Sequence, residues 1–158
     1  MIGFLNGTLG MFEGKHLVVT EENFKLYRNQ GGYDFLGRSA DQIRRPEQLK
    51  ATHEACQKLA LNGLILVGAT HTFTDAAYLT EYFYEQKCDT RVIAIPATID
   101  GNVRRKYIES DLGFDTAAKV YSQLIGNMMT DAASAVKYWY FIRLMGKDPS
   151  HLALECAL

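Results

Sequence analysis

Three short polar segments stand where an apolar run gives way to small and hydroxyl residues, and each could meet a phosphate or a sugar. The first, GATHTFTD at residues 68–75, offers backbone N–H groups, the hydroxyls of Thr70, Thr72 and Thr74, and a helix start whose partial positive charge favours anions. The same threonines could do no more than cap that helix, and His71 could be a ligand, a base or a solvated turn residue. The second, PATIDGN at residues 96–102, sets Asp100 in a tight turn. A carboxylate there, ionised at neutral pH, could take a proton from a substrate hydroxyl, or could close an Asx-type turn before Gly101. The third, MGKDPSH at residues 145–151, puts Lys147 after Gly146, which suits a phosphate or sugar contact or an exposed turn. A further stretch, RNQGGYDFLGR at residues 28–38, is glycine-rich without being a GxGxxG fingerprint, so close approach to a ligand and a plain loop are equally open.

These segments need elements to hold them. The runs LILVG at 64–68, RVIAIP at 91–96 and YWYFIRLM at 138–145 are short, apolar and bounded by small residues, and they read as buried strands. Helices are expected over 46–61, with Leu49, His53, Cys56, Leu59 and Ala60 on one face and Pro46 in the first turn, and over 74–86. The clearest helix spans 115–136. Phe114, Ala117, Ala118, Tyr121, Leu124, Ile125, Met128, Met129 and Ala132 form its sheet-facing stripe, with the Met pair read as core filler. Alternating strands and helices imply an α/β fold with a mainly parallel sheet. In such a sheet ligands bind beyond the carboxyl ends of the strands, which is where the three polar segments fall.

Composition narrows the function classes. The chain has 158 residues and a net charge of -1, with its basic residues dispersed, so a binder held to nucleic acid by phosphate contacts is not expected. No run approaches the roughly 18–20 apolar residues of a membrane span. Three cysteines without CxxC spacing suit a reduced, cytoplasmic setting, and the first residues, MIGFLNGTLG, lack the features of a secretory signal. No repeat or linker divides the chain, which reads as one domain. Its last residues, HLALECAL, form an apolar helix-like run that needs covering and suggest a boundary inside a longer chain.

Taken in order, RNQGG, GAT.T.TDAA, PATIDGN, GFDTA.KVYSQLIGN and YFIRLMGK..SHLALECAL resemble the phosphofructokinase superfamily over nearly the whole chain, closest to its long, pyrophosphate-dependent type. The resemblance implies a three-layer α/β sandwich like that family's N-terminal domain. Residues 1–158 would be most of that domain, without its preceding Gly-rich strand and loop and without the second domain. It implies glycolytic phosphoryl transfer to the 1-hydroxyl of fructose 6-phosphate, giving fructose 1,6-bisphosphate. Asp100 falls at the general-base position, with Thr98 beside it at the reacting phosphoryl group. Met145 and Gly146 match the sugar-phosphate motif MGR, and Lys147 replaces its Arg, keeping the charge and losing the bidentate fork.

The departures lie at the phosphoryl donor. Members active with pyrophosphate or ATP carry GGDD or GGDG where this chain has Gly68, Ala69, Thr70 and His71, followed by Thr72. Their first Asp serves magnesium, a hard cation for which a neutral hydroxyl or an imidazole is a poor substitute. Ala97 stands in place of a family Lys, Asn102 in place of an Asp, and Ala40 in place of an Arg for which Arg38 could substitute. Phosphoryl transfer depends on positioning and charge neutralisation, so these losses point to a regulatory or structural α-type part, binding a sugar phosphate and paired with a catalytic β-type partner in a homo- or hetero-oligomer. Magnesium would then belong to the parent enzyme. An active phosphotransferase with an unusual donor site is the alternative.

Overall fold

The computed structural model describes residues 1–147 and 150–158. Of the segment MGKDPSH, Asp148 and Pro149 lie outside the described residues. The chain is α/β and divides into two units, each with its own core: Met1–Leu66 with His71–Ala94, and Val67–Thr70 with Ile95–Leu158.

In the first unit, strands β1 (Ile2–Phe4) and β2 (His16–Val18) pair antiparallel with Gly3 opposite Leu17, and helix α1 (Thr8–Glu13) lies between them in sequence. Helix α2 (Glu21–Tyr27) starts at a reciprocal cap, Thr20 with Asn23, and α3 (Tyr33–Leu36) is a single turn. Helix α4 (Pro46–Lys58) has its proline in the first turn, where a missing N–H costs nothing, and Gln48 Oε1 accepts the Arg44 and Arg45 N–H groups at 3.0 and 2.9 Å. Strand β3 (Gly63–Gly68), helix α5 (Thr70–Glu85) and strand β4 (Arg91–Thr98) follow. Ile43, Cys56, Leu64, Leu66, Leu79 and Phe83 form the centre of this unit's core.

Helix α4 is shorter than expected. It ends at Lys58, and Ala60 sits outside it in the left-handed region with φ 48°. Its buried positions are Thr52 and Cys56, with Leu49 and His53 alongside. Strand β3 is buried on one face only: Leu64 and Leu66 point inward, whereas Ile65 and Val67 are 59% and 58% exposed. A five-residue apolar run looks the same whether one face or both are covered, which is why periodicity did not separate the two.

In the second unit, strand β5 (Leu112–Gly113) pairs parallel with the end of β4, Ala97 opposite Leu112 and Thr98 opposite Gly113. The sheet order is β3-β4-β5. Helix α6 (Phe114–Ala135) matches the expected helix to within a residue at each end, and α7 (His151–Ala157) lies against it. Phe114, Ala118, Leu152 and Cys156 are the buried cluster, flanked by Ile99, Tyr121, Ile125 and Leu144.

Two expectations fail here. Met128 and Met129 are 41% and 65% exposed, so they fill no core; only the first half of α6 is packed. Residues 138–145 form no strand. Trp139 and Phe141 are 91% and 93% exposed, and Val136, at φ 53°, turns the chain off the end of α6. Aromatic and β-branched residues favour a pleated surface, but a strand exists only where a neighbour completes its ladder, and none of the described strands pairs with this segment. Tyr140 instead donates its hydroxyl to Asp131 Oδ2 at 3.1 Å, which raises its pKa through that bond.

Candidate functional site

The corner after β4 is built in the second unit from a short chain of hydrogen bonds. Asp111, 4% exposed, accepts the Thr98 N–H on Oδ1 at 2.9 Å, and Thr98 Oγ1 accepts the Asp100 N–H at 3.1 Å. Thr98, not an Asx turn made by Asp100, thus closes the bend. Gly101 continues it at φ 67°, packed so closely on Phe114 that a Cβ would stand 2.8 Å from the ring. The Arg104 guanidinium lies over the same ring, 4.7 Å from its centroid, and pairs with Asp115 at 3.0 Å. The half-buried Asp100 carboxylate makes no ion pair or side-chain hydrogen bond among the described residues.

The segment expected to bind the sugar phosphate meets this carboxylate. Gly146 has φ 137°, and a Cβ on it would stand 3.4 Å from Asp100 Oδ1, so glycine allows the two turns to approach. Met145, Gly146 and Lys147 line a cleft of about 450 Å³ together with Ile125, Leu144 and Ser150. The structure therefore brings Asp100 and Gly146 together and places Met145 and Lys147 at the adjoining cleft.

The corner after β3 is different in kind. Helix α5 begins at Thr70, so Thr72 and Thr74 stand inside its first turns rather than at its cap. Gly68, Ala69 and Thr70 belong to the second unit and His71 and Thr72 to the first. Within the first unit, Asp75 is 4% exposed; Arg44 Nη2 lies 3.2 Å from its Oδ1, and the Ile43 N–H also bonds it. Burial raises the Asp75 pKa, outweighing Arg44 and Ile43. Arg44 also reaches the His71 carbonyl at 3.4 Å and stacks over Tyr78. Arg38 stacks on Tyr33, 5.0 Å from the ring centroid, and no ion pair or hydrogen bond joins it to His71 or Thr72 among the described residues.

These residues do not fit magnesium. Thr70 brings a neutral hydroxyl, His71 a nitrogen donor, and the one carboxylate of the segment, Asp75, is buried against a guanidinium. Arg44 and Asp111 are the site residues that sequence reasoning missed. Neither carries a local signal, because each acts on a partner far along the chain, Asp75 and Thr98 respectively.

A glycine-tightened turn carrying Asp100 thus stands beside a loop opened by Gly146 and carrying Lys147, at the end of a strand of an α/β unit. Residues 1–158 all match the family model described as Phosphofructokinase, and the chain belongs to that family. It is 51% identical over its full length to pyrophosphate–fructose 6-phosphate 1-phosphotransferase subunit alpha 2 of Arabidopsis thaliana. It is 46% identical to the subunit beta of that name from Solanum tuberosum and 45% identical to the enzyme from Treponema pallidum (strain Nichols). The chain spans 26% of the first of these relatives and 28% of the other two.

Proposed function

We propose that these residues serve as the first α/β domain of an α-type, regulatory or structural part of a pyrophosphate-dependent fructose 6-phosphate 1-phosphotransferase, binding a sugar phosphate and leaving phosphoryl transfer to a β-type partner. The observation that carries this reading is the segment 68–75, which has one carboxylate, Asp75, already committed to Arg44. Without a magnesium carboxylate, and with Ala97 for Lys and Asn102 for Asp, the donor phosphates have too little charge to meet them. The acceptor side keeps more of the family's residues by contrast, with Lys147 in place of an Arg. Asp100 has no ion pair or side-chain hydrogen bond among the described residues, and Met145, Gly146 and Lys147 line a cleft of about 450 Å³.

Asp100 would hold the 1-hydroxyl of fructose 6-phosphate by accepting its proton in a hydrogen bond, and Lys147 would meet the 6-phosphate as a point charge. The slightly higher identity to alpha than to beta subunits supports the assignment. The test is an assay of the intact protein purified without any β-type partner. With magnesium and either pyrophosphate or ATP, fructose 6-phosphate should remain unphosphorylated. Turnover that vanishes in Asp100→Ala would establish instead an active phosphotransferase with an unusual donor site.

A further inference from the structure

We propose that Asp111 is the positioning residue of the Asp100 turn: through Thr98 it sets where the substrate-facing carboxylate stands. The inference rests on the reading of Asp100 as the group that meets the sugar. Asp111 Oδ1 accepts the Thr98 N–H at 2.9 Å, and Thr98 Oγ1 in turn accepts the Asp100 N–H at 3.1 Å, a relay of two bonds from a fixed group to the turn. The anchor is rigid because Asp111 is 4% exposed and immediately precedes β5, whose Leu112 and Gly113 are paired with Ala97 and Thr98. The β5 ladder on this side of β4 is only two residues long.

A purely architectural role does not account for the residue. A buried carboxylate costs more to desolvate than a neutral acceptor, and Asp111 Oδ2 is buried with no hydrogen-bond partner among the described residues. What the charge adds is a stronger grip on one backbone N–H, since hydrogen bonds to an ionised acceptor are about twice as strong as neutral ones. That grip falls on the residue whose hydroxyl orients the Asp100 backbone.

Two readouts on the intact protein test this. Backbone hydrogen exchange follows the turn with no ligand present, and calorimetry with fructose 6-phosphate follows its consequence. In Asp111→Ala, exchange at Thr98 and Asp100 should quicken at least about tenfold, as expected for loss of roughly one charge-assisted hydrogen bond, with affinity falling by a similar factor. In Asp111→Asn, whose amide oxygen can still accept the Thr98 N–H, both should return to within about threefold of the wild type. Thr98→Val should quicken exchange at Asp100 and spare Thr98. Unchanged exchange at Thr98 and Asp100 in Asp111→Ala, or failure of Asn to restore it, overturns the proposal. Should Asp111→Ala not fold, Thr98→Val decides: quickened exchange at Asp100 with Thr98 spared supports the relay, and unchanged exchange at Asp100 refutes it. A wild type that binds no fructose 6-phosphate would refute the reading of Asp100, while exchange would still decide the role of Asp111.

Discussion

Two glycines and two carboxylates determine what the Asp100 corner can do. Gly101 combines φ 67° with a ring 2.8 Å from where its Cβ would stand, so Gly101→Ala must both strain the backbone and displace Phe114. We expect it to cost about 2–4 kcal/mol in denaturant unfolding and to weaken sugar-phosphate binding with it. Asp75 makes the complementary case. Because its raised pKa means that the folded chain protonates it before the unfolded chain does, its ionisation is a burden on the fold. Stability relative to Asp75→Asn, measured by thermal unfolding, should therefore rise as pH falls from the raised pKa toward the ordinary carboxylate range. Asp75→Ala should cost about 1–3 kcal/mol instead, since it leaves the Arg44 guanidinium without its partner. Cysteine chemistry is separable by the same reasoning. Burial, and secondarily Cys88, push the Cys56 thiol up to about 11, so alkylation at pH 8 should label the half-buried Cys88 well before Cys56. The turn at Asp100 was legible in the sequence because turn chemistry is local, whereas Thr98 and Gly146 were singled out only through the family resemblance. Asp111 and Arg44 were not, since a residue that works on a partner 13 or 31 positions away leaves no mark in its own neighbourhood.

At the scale of elements, the sequence marked those that carry their own signals. Helix α6 has a sustained apolar stripe and was placed to within a residue, and β4 follows from a β-branched run ended by the polar turn. The start of α5 was misplaced by four residues because Thr70, Thr72 and Thr74 look like cap or phosphate-loop hydroxyls, yet the helix takes them in. Strands β1, β2 and β5, of three, three and two residues, are too short for any periodicity and exist through their partners. Residues 138–145 show the reverse, strand-like composition with no partner. The turn that leads into them is itself strained: Val136 is β-branched, 86% exposed and held at φ 53°. Val136→Gly should remove that strain with no packing lost and raise stability by about 1 kcal/mol, read as a higher denaturant midpoint at unchanged slope.

For the whole molecule, the chain divides into two compact units, each with its own core, and no helix among the described residues is long and apolar enough to cross a membrane. The near-zero net charge takes on meaning only by position. Basic groups are present, but Arg38 stacks on Tyr33, Arg44 is tied to Asp75, and Arg104 to Asp115, while Lys147 lines the cleft beside Gly146. On the proposed reading, the acceptor residues are kept and the donor residues are not. The most direct measurement is sequential calorimetry on the intact protein in magnesium buffer, titrating fructose 6-phosphate and then pyrophosphate. The account predicts saturable binding of the sugar phosphate, abolished by Asp100→Ala with Lys147→Ala, and no heat beyond dilution from pyrophosphate. Tight magnesium-pyrophosphate binding followed by formation of fructose 1,6-bisphosphate would contradict it.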